Sequence, residues 1–273
     1  MPIFAAMIFY FSGTGNTRWA AQQLAAATGE QLYFIPNELK GVCQYTLAAD
    51  ERVGFCFPVH GWQPPHIVRQ FISKLSINTS QPLHSHFTYA LCTCGDSLGM
   101  AMKMFVDELA AKGIELHSCQ SLIMPESYVC LPFMYTDSLE REAEKKAQAA
   151  VDLKRFIEVV RERRHGYNEL TIGMAPWTLS HVVGAYFNRY MISDRKFTVD
   201  ADVCTHCGRC AKVCPVGDIT FDGQQQNNDS SCALPQWHHD GSCTCCLSCY
   251  HHCPVHAINY GNITRKRGQF YFK

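Results

Sequence analysis

Two folds in series are expected from this chain. The first is an α/β fold on a doubly wound parallel sheet, and the second is a small α+β domain held by cysteine ligands. Three observations lead there. Short apolar runs alternate with amphipathic stretches over residues 1–165, the pattern of a parallel sheet covered on both faces. A turn of small polar residues, Ser12-Gly13-Thr14-Gly15-Asn16-Thr17, joins the first apolar run to the first helix signal. Of 16 cysteines, only Cys43, Cys56, Cys92, Cys94, Cys119 and Cys130 precede residue 200, and the other ten lie between Cys204 and Cys253. That shift divides the chain into a first domain at 1–165, a helical linker at 166–195 and a second domain at 196–273.

The elements follow in order. Ile3–Phe11 is a strand, and Thr17–Ala27, rich in Ala, Leu and Gln, is a helix. Gln31–Ile35 and Val53–Pro58 are short apolar strands. Pro65–Leu75 has helical spacing through Ile67, Val68, Phe71, Ile72 and Leu75. Thr88–Thr93 is a strand, and Leu98–Lys112 is a helix that Gly113 stops. Glu115–Met124 is a strand and Ser138–Arg164 a long helix with mixed charges outward. The linker holds a helix after Pro176, and its Trp177, Leu179, Val182, Val183, Tyr186, Phe187 and Tyr190 are suited to packing.

Composition excludes several function classes. Apolar residues make up 47% of the chain, charged residues 18%, and the formal net charge is zero. Such a chain is not disordered, and neutrality offers no electrostatic case for nucleic acid or an anionic membrane. The apolar start Pro2–Phe11 lacks the flanks of a signal peptide. His181, Asn188 and Arg189 interrupt Ile172–Ile192, so no membrane insertion is expected there. A cytoplasmic protein is the expectation. In that compartment thiols stay reduced, and clustered cysteines are more often metal ligands than disulfides.

The turn at residues 12–17 suits a phosphate. Glycines let the backbone fold round an anion, hydroxyls donate to it, and a helix N-terminus presents unpaired N–H groups. The dinucleotide fingerprint needs glycine at position 18, which is Arg18, and the Walker loop needs a G-K-[ST] that is missing. The remaining pattern resembles the flavodoxin family, over about the first 165 residues. The resemblance implies strand order 2-1-3-4-5 with FMN at the switch point. It assigns Ser12, Gly13, Thr14, Gly15, Asn16 and Thr17 to the FMN phosphate. It assigns the ring to two loops, Pro58-Val59-His60-Gly61-Trp62 and Thr93-Cys94-Gly95-Asp96, with Gly61 permitting a peptide flip. Trp62 is positioned either to stack on the ring or to pack on the surface. The second loop has no aromatic, which leaves one flavin face open or covered from elsewhere. Cys92 and Cys94 point to one side of a strand. They read first as small buried hydrophobes, as do Cys43, Cys56, Cys119 and Cys130.

The second domain carries Cys204-x2-Cys207-x2-Cys210-x3-Cys214-Pro215 and repeats it as Cys243-x2-Cys246-x2-Cys249-x3-Cys253-Pro254. This is the run of bacterial-type ferredoxins, in which the fourth cysteine serves the other cluster. Zinc sites use separated pairs instead. By this resemblance two [4Fe–4S] clusters are held, one by Cys204, Cys207, Cys210 and Cys253, the other by Cys243, Cys246, Cys249 and Cys214. Cys245 is an alternative ligand, but the spacing favours Cys246. The polar run Gln224–Ser231 is expected to extend a hairpin, and the pairs His238-His239 and His251-His252 have no spacing that supports a further metal.

A flavodoxin-like domain followed by a two-cluster ferredoxin domain resembles the flavodoxin–ferredoxin fusion proteins of anaerobic bacteria and archaea. The resemblance implies an electron-transfer protein that passes electrons between FMN and two [4Fe–4S] clusters and on to a redox partner protein. An FMN-dependent reductase of a small substrate and a redox sensor are the alternatives, and a homodimer is left open. The ferredoxin domain is expected near Pro58–Trp62 and Thr93–Asp96, where it would also cover the flavin face that lacks an aromatic.

Overall fold

A computed structural model describes residues 6–221 and 234–273. The run Gln224–Ser231 and Cys232 lie outside the described residues, as does the start of the expected first strand. The chain forms two compact units. The first takes the chain up to Ser12, Asn16–Pro125 and Leu139–Arg189; the second takes Gly13–Gly15, Glu126–Ser138 and Tyr190–Lys273.

The first unit is built on six parallel strands: β1 (Met7–Tyr10), β2 (Gln31–Phe34), β3 (Val53–Pro58), β4 (Thr88–Cys94), β5 (Ser118–Ile123) and β6 (Asn168–Glu169). Their spatial order is 2-1-3-4-5-6. The first five strands have the doubly wound order of flavodoxin-like folds, with the switch point between β1 and β3. Register pairs Phe9 with Phe55, Phe57 with Cys92, and Thr93 with Leu122. β3 and β4 are buried nearly end to end, as expected for central strands covered on both faces.

Helices supply those covers. In α1 (Asn16–Thr28) the buried residues Ala20, Ala21 and Leu24 make one stripe. α2 (His66–Lys74) starts after Pro65, buries Ile67, Val68, Phe71 and Ile72, and ends on a lysine that complements its dipole. α3 (Ala101–Ala110) packs Phe105 against Phe57, ring centroids 4.6 Å apart. α4 (Leu139–Arg161) has Glu140 and Glu142 in its first turn and Arg161 in its last, and buries Leu153, Phe156 and Val160. At the amino ends of the strands, buried Glu30 accepts from Arg52 Nε at 3.2 Å and from the Tyr89 hydroxyl. Tyr89 reaches it across Gly54, where a Cβ would stand 2.4 Å from the ring.

Two parts of this unit depart from the sequence reading. Gln44–Leu47 and Ser76–Thr79 form a separate parallel pair that no hydrophobic alternation signals. The segment read as a helical linker begins as strand β6, which adds to β5 through Cys119–Asn168 and Gln120–Glu169. Its helix runs from Pro176, passes through a π-helical turn at Leu179–Val183, and continues as α5 (Gly184–Tyr190). It buries Ser180, Gly184 and Phe187, while Trp177, Val182, Val183, Tyr186 and Tyr190 are exposed. Where the packed face meets the backbone of a turn it carries the small residues Ser180 and Gly184, with Phe187 packed beside them over Gly61.

The second unit contains two antiparallel strand pairs. β7 (Phe197–Val199) pairs with β10 (Ile258–Tyr260), and β8 (Ile219–Thr220) with β9 (Gln236–Trp237). Two short helices, α6 (Arg209–Val213) and α7 (Ser248–His251), lie within the two cysteine runs, each carrying the third cysteine of its run and ending before the fourth. The repeat in sequence is a repeat in backbone. His206 and Cys245 are left-handed at φ 51° and 49°, Gly208 and Leu247 at 65° and 60°, and Gly217 and His256 at 70° and 55°. Left-handed backbone is costly for non-glycine residues, so its recurrence at Cys245, Leu247 and His256 marks a demand of the loop geometry. The segment Glu126–Ser138, which sequence reading placed in the first domain, contributes Val129 and Cys130 to this unit's core beside Tyr250 and Tyr260.

Candidate functional site

The second unit sorts its cysteines into two cavities. One is lined by Cys204, Cys207, Cys210 and Cys253, together with Phe221, Pro235, Pro254 and Ile258. The other is lined by Cys214, Cys243, Cys246 and Cys249, together with Phe197, Ile219 and Trp237. Each cavity thus receives three cysteines from one run and the fourth from the other run. Cys246 faces the second cavity, while Cys245 lines neither.

Backbone amides turn toward these sulfurs. Asp218 N–H donates to Cys214 Sγ and Ala257 N–H to Cys253 Sγ, each at 3.2 Å, and Cys245 N–H donates to Cys243 Sγ at 3.4 Å. The first two are the same bond in the two Cys-Pro-Val repeats. Such donors stabilise negative charge on sulfur and are one lever on a cluster's potential. Burial pushes the Cys210 thiol up to about 11 and the Cys246 thiol up to about 12. Cys207 is exposed, and the Arg209 N–H draws its thiol down. A thiol that ligates a metal loses its proton outright, so loading these cavities releases protons.

Nearby histidines are held by the protein. His251 is buried; its Nδ1 accepts from the Phe270 N–H at 3.0 Å and its Nε2–H donates to the Ser127 carbonyl at 2.6 Å. His252 stacks on Tyr271, and His239 meets Asp194 at 3.0 Å.

In the first unit, sheet order brings the carboxyl ends of β1, β3 and β4 side by side. The Thr17 and Thr93 hydroxyls share a hydrogen bond at 2.7 Å, and Val59 N–H donates to the Thr93 carbonyl at 2.9 Å. The expected loops therefore meet. Residues 60–63 form a tight turn in which His60 and Gln63 exchange backbone hydrogen bonds. Burial pushes His60 down to about 4, with His66 the lesser cause, so its imidazole is neutral. Trp62 is half-buried, and its indole N–H donates to Ser97 Oγ at 3.3 Å.

This turn is clamped by the segment after Pro176, which sequence reading did not connect to it. Ser180 Oγ donates to the Trp62 carbonyl at 2.9 Å, Gln63 Nε2 donates to the Ser180 carbonyl at 2.7 Å, and Asn188 Nδ2 donates to the His60 carbonyl at 3.2 Å. A Cβ on Gly184 would stand 2.1 Å from the Gly61 carbonyl oxygen. A flip of the peptide after Gly61 must therefore work against α5. No local pattern signals this clamp, because its donors are single residues more than 100 positions away along the chain.

The turn at residues 12–17 is only partly as expected. Asn16 Nδ2 donates to the Pro125 carbonyl at 3.0 Å, and its buried Oδ1 has no hydrogen-bond partner among the described residues. The tip, Gly13–Gly15, packs within the second unit. A Cβ on Gly13 would meet Cys246 Cβ at 2.6 Å, and one on Gly15 would meet Phe272 at 3.0 Å. Thr14 donates its hydroxyl to Ser127 Oγ at 3.2 Å, and its carbonyl accepts from Phe272 N–H at 2.8 Å. These glycines are thus required by packing against protein, and the Thr14 hydroxyl already has a protein partner. The first-turn N–H groups of α1 are donors, and Asn16 Oδ1 is an acceptor lacking a donor. Together they fit a ligand that bears both an anion and hydroxyl groups, as FMN does through its phosphate and ribityl chain. Cys94 is buried, and Asp96 pairs with Arg141 at 3.6 Å.

Comparison with known proteins locates one motif and leaves the rest to geometry. Residues 197–220 match the family model described as a 4Fe-4S binding domain. The match runs from β7 to β8 and includes Cys204, Cys207, Cys210 and Cys214, so this part of the chain carries a 4Fe–4S binding motif. No curated protein matches the chain. Among solved structures it is similar to a putative flavoprotein from Bacteroides uniformis, at 18% identity and TM-score 0.30, covering 43% of this chain and 90% of that one. It is similar to a flavodoxin from Streptococcus pneumoniae TIGR4, at 16% identity and TM-score 0.30, covering 55% of this chain and 98% of that one. It is also similar to an NAD(P)H:quinone oxidoreductase from Methanothermobacter marburgensis, at 10% identity and TM-score 0.37, covering 60% of this chain and 98% of that one. Scores this low add nothing to the strand order, and the flavodoxin-like fold stands on that order alone. No described helix is long and apolar enough to cross a membrane.

Proposed function

We propose that this chain is an electron-transfer protein in which FMN exchanges electrons with two [4Fe–4S] clusters and, through them, with a redox partner protein. One observation carries the reading: the eight cysteines of the two runs separate into two cavities, three and one from each run. Four thiolates round one cavity suit a cubane. Cys204, Cys207, Cys210 and Cys253 hold one cluster, and Cys243, Cys246, Cys249 and Cys214 hold the other. FMN takes one or two electrons and each cluster takes one, so the flavin adapts two-electron partners to one-electron partners. The flavin's place is the carboxyl edge of the sheet. There Ser12, Asn16, Thr17 and the start of α1 hold the phosphate and ribityl chain, and residues 58–62 and 93–96 flank the ring.

Anaerobically prepared protein should contain about eight irons and eight sulfides per chain if both cubanes are complete. Four irons after full reconstitution would remove the second cluster from the proposal. Cys214→Ser should damage the cluster of Cys243, Cys246 and Cys249 and spare that of its sequence neighbours Cys204, Cys207 and Cys210. Electron paramagnetic resonance of the reduced variant reads which signal is lost.

A further inference from the structure

Cys245 is the one described cysteine beyond residue 200 that lines neither cavity. The cluster geometry does not call for a cysteine there. The same left-handed backbone in the first run is built with His206. Cys245 lies instead in the core of the second unit, 3% exposed, in one buried cluster with Cys130, which is 1% exposed. The two thiols are hydrogen-bonded to each other, and the Ser193 N–H and the Tyr260 hydroxyl also approach the Cys245 sulfur. Cys130 comes from the Glu126–Ser138 segment, 115 positions earlier in the chain.

Two independent features make this more than a pair of small buried hydrophobes. The two thiols lie within hydrogen-bonding reach of each other in one buried cluster, so a disulfide needs only a closing movement of the side chains. And the Cys245 N–H is the donor to Cys243 Sγ at 3.4 Å, which sets the pair one peptide away from a sulfur of the second cavity.

We propose that Cys130 and Cys245 form a reversible disulfide, a two-electron couple beside the cavity of Cys214, Cys243, Cys246 and Cys249. On oxidation the two S–H bonds break and one S–S bond forms. Two protons go to solvent, and two electrons leave singly to acceptors of the one-electron class. Reduction returns both electrons and both protons. Only the route of the electrons rests on the electron-transfer reading; the bond itself does not. When oxidised, the bond ties Glu126–Ser138 to the cysteine-rich fold and closes a long loop.

The test uses the full holoprotein, poised anaerobically across a range of potentials with quinone and viologen mediators. Samples are quenched in acid, alkylated and mapped by mass spectrometry. A peptide pair joined through Cys130 and Cys245 is expected at the oxidising end and is lost at the reducing end, with a two-electron dependence on potential. Cys130→Ser should abolish the pair and leave the iron content unchanged, and Cys245→Ser should do the same. Absence of the pair both at every mediated potential and in an oxidising dithiol redox buffer overturns the proposal, and so does joining of either residue to a different cysteine. Loss of iron in Cys245→Ser overturns it too, by making Cys245 a cluster ligand. Where a variant does not fold, mapping of the unsubstituted chain decides alone. A pair that forms in a dithiol redox buffer but never with mediators supports the bond and refutes the route through the clusters.

Discussion

His60 ties the turn at residues 60–63 to pH. Its ordinary pKa of about 6.5 applies in the unfolded chain, and burial lowers it to about 4 in the fold. The unfolded chain therefore takes up a proton first as pH falls, and the fold loses stability between about pH 6.5 and 4. For a half-buried residue the loss is on the order of 1–3 kcal/mol. Urea unfolding at pH 7.5 and 4.5 should show a smaller difference in His60→Asn than in the unsubstituted protein. An identical difference would show that His60 does not carry it. Thr17 offers a second test at this scale, because its hydroxyl already bonds Thr93. If it also serves the phosphate, Thr17→Ala should weaken FMN about ten- to a hundredfold, the loss of a hydrogen bond to a charged group. Riboflavin, which lacks the phosphate, should be affected much less. Equal weakening of both flavins would confine the hydroxyl to supporting the Thr93 loop.

Among the elements, α5 decides more than its length suggests. Its large side chains Trp177, Val182 and Tyr186, on the turns before and within it, stay exposed, while Ser180, Gly184 and Asn188 reach the 60–63 turn. A backbone turn presents carbonyls, and only small residues let a helix come close enough to bond them. Gly184→Ala puts a methyl against the Gly61 carbonyl and should cost about 1–3 kcal/mol of stability, the usual cost of overpacking. Denaturant unfolding reads that loss. Hydrogen exchange at residues 60–63 should rise with it, whereas unchanged exchange would mean that α5 does not hold the turn. In the second unit, α6 and α7 are too short to be stable by themselves. They stand because the left-handed residues before them, Gly208 and Leu247, aim each cysteine run into its cavity.

At the scale of the molecule, one chain carries both candidate redox sites, so transfer between them should not depend on protein concentration. Photoreducing the FMN anaerobically and following cluster absorbance at several dilutions measures this. A rate proportional to concentration would refute internal transfer. The parallel sheet, most of its strands and four of its helices were legible in the sequence, because burial on both faces writes continuous apolar runs and one-sided burial writes helical periodicity. The two cysteine runs were legible as well, since the repeat Cys-x2-Cys-x2-Cys-x3-Cys-Pro is local; their crossed assignment came from the resemblance to ferredoxins and not from the spacing. Only the tertiary structure decided the rest. It placed Cys130 on Cys245, Ser180 and Asn188 on the 60–63 turn, and Gly13 and Gly15 against Cys246 and Phe272. Each of these pairs joins residues far apart in the chain through a single contact, and a single contact leaves no period and no spacing along a sequence.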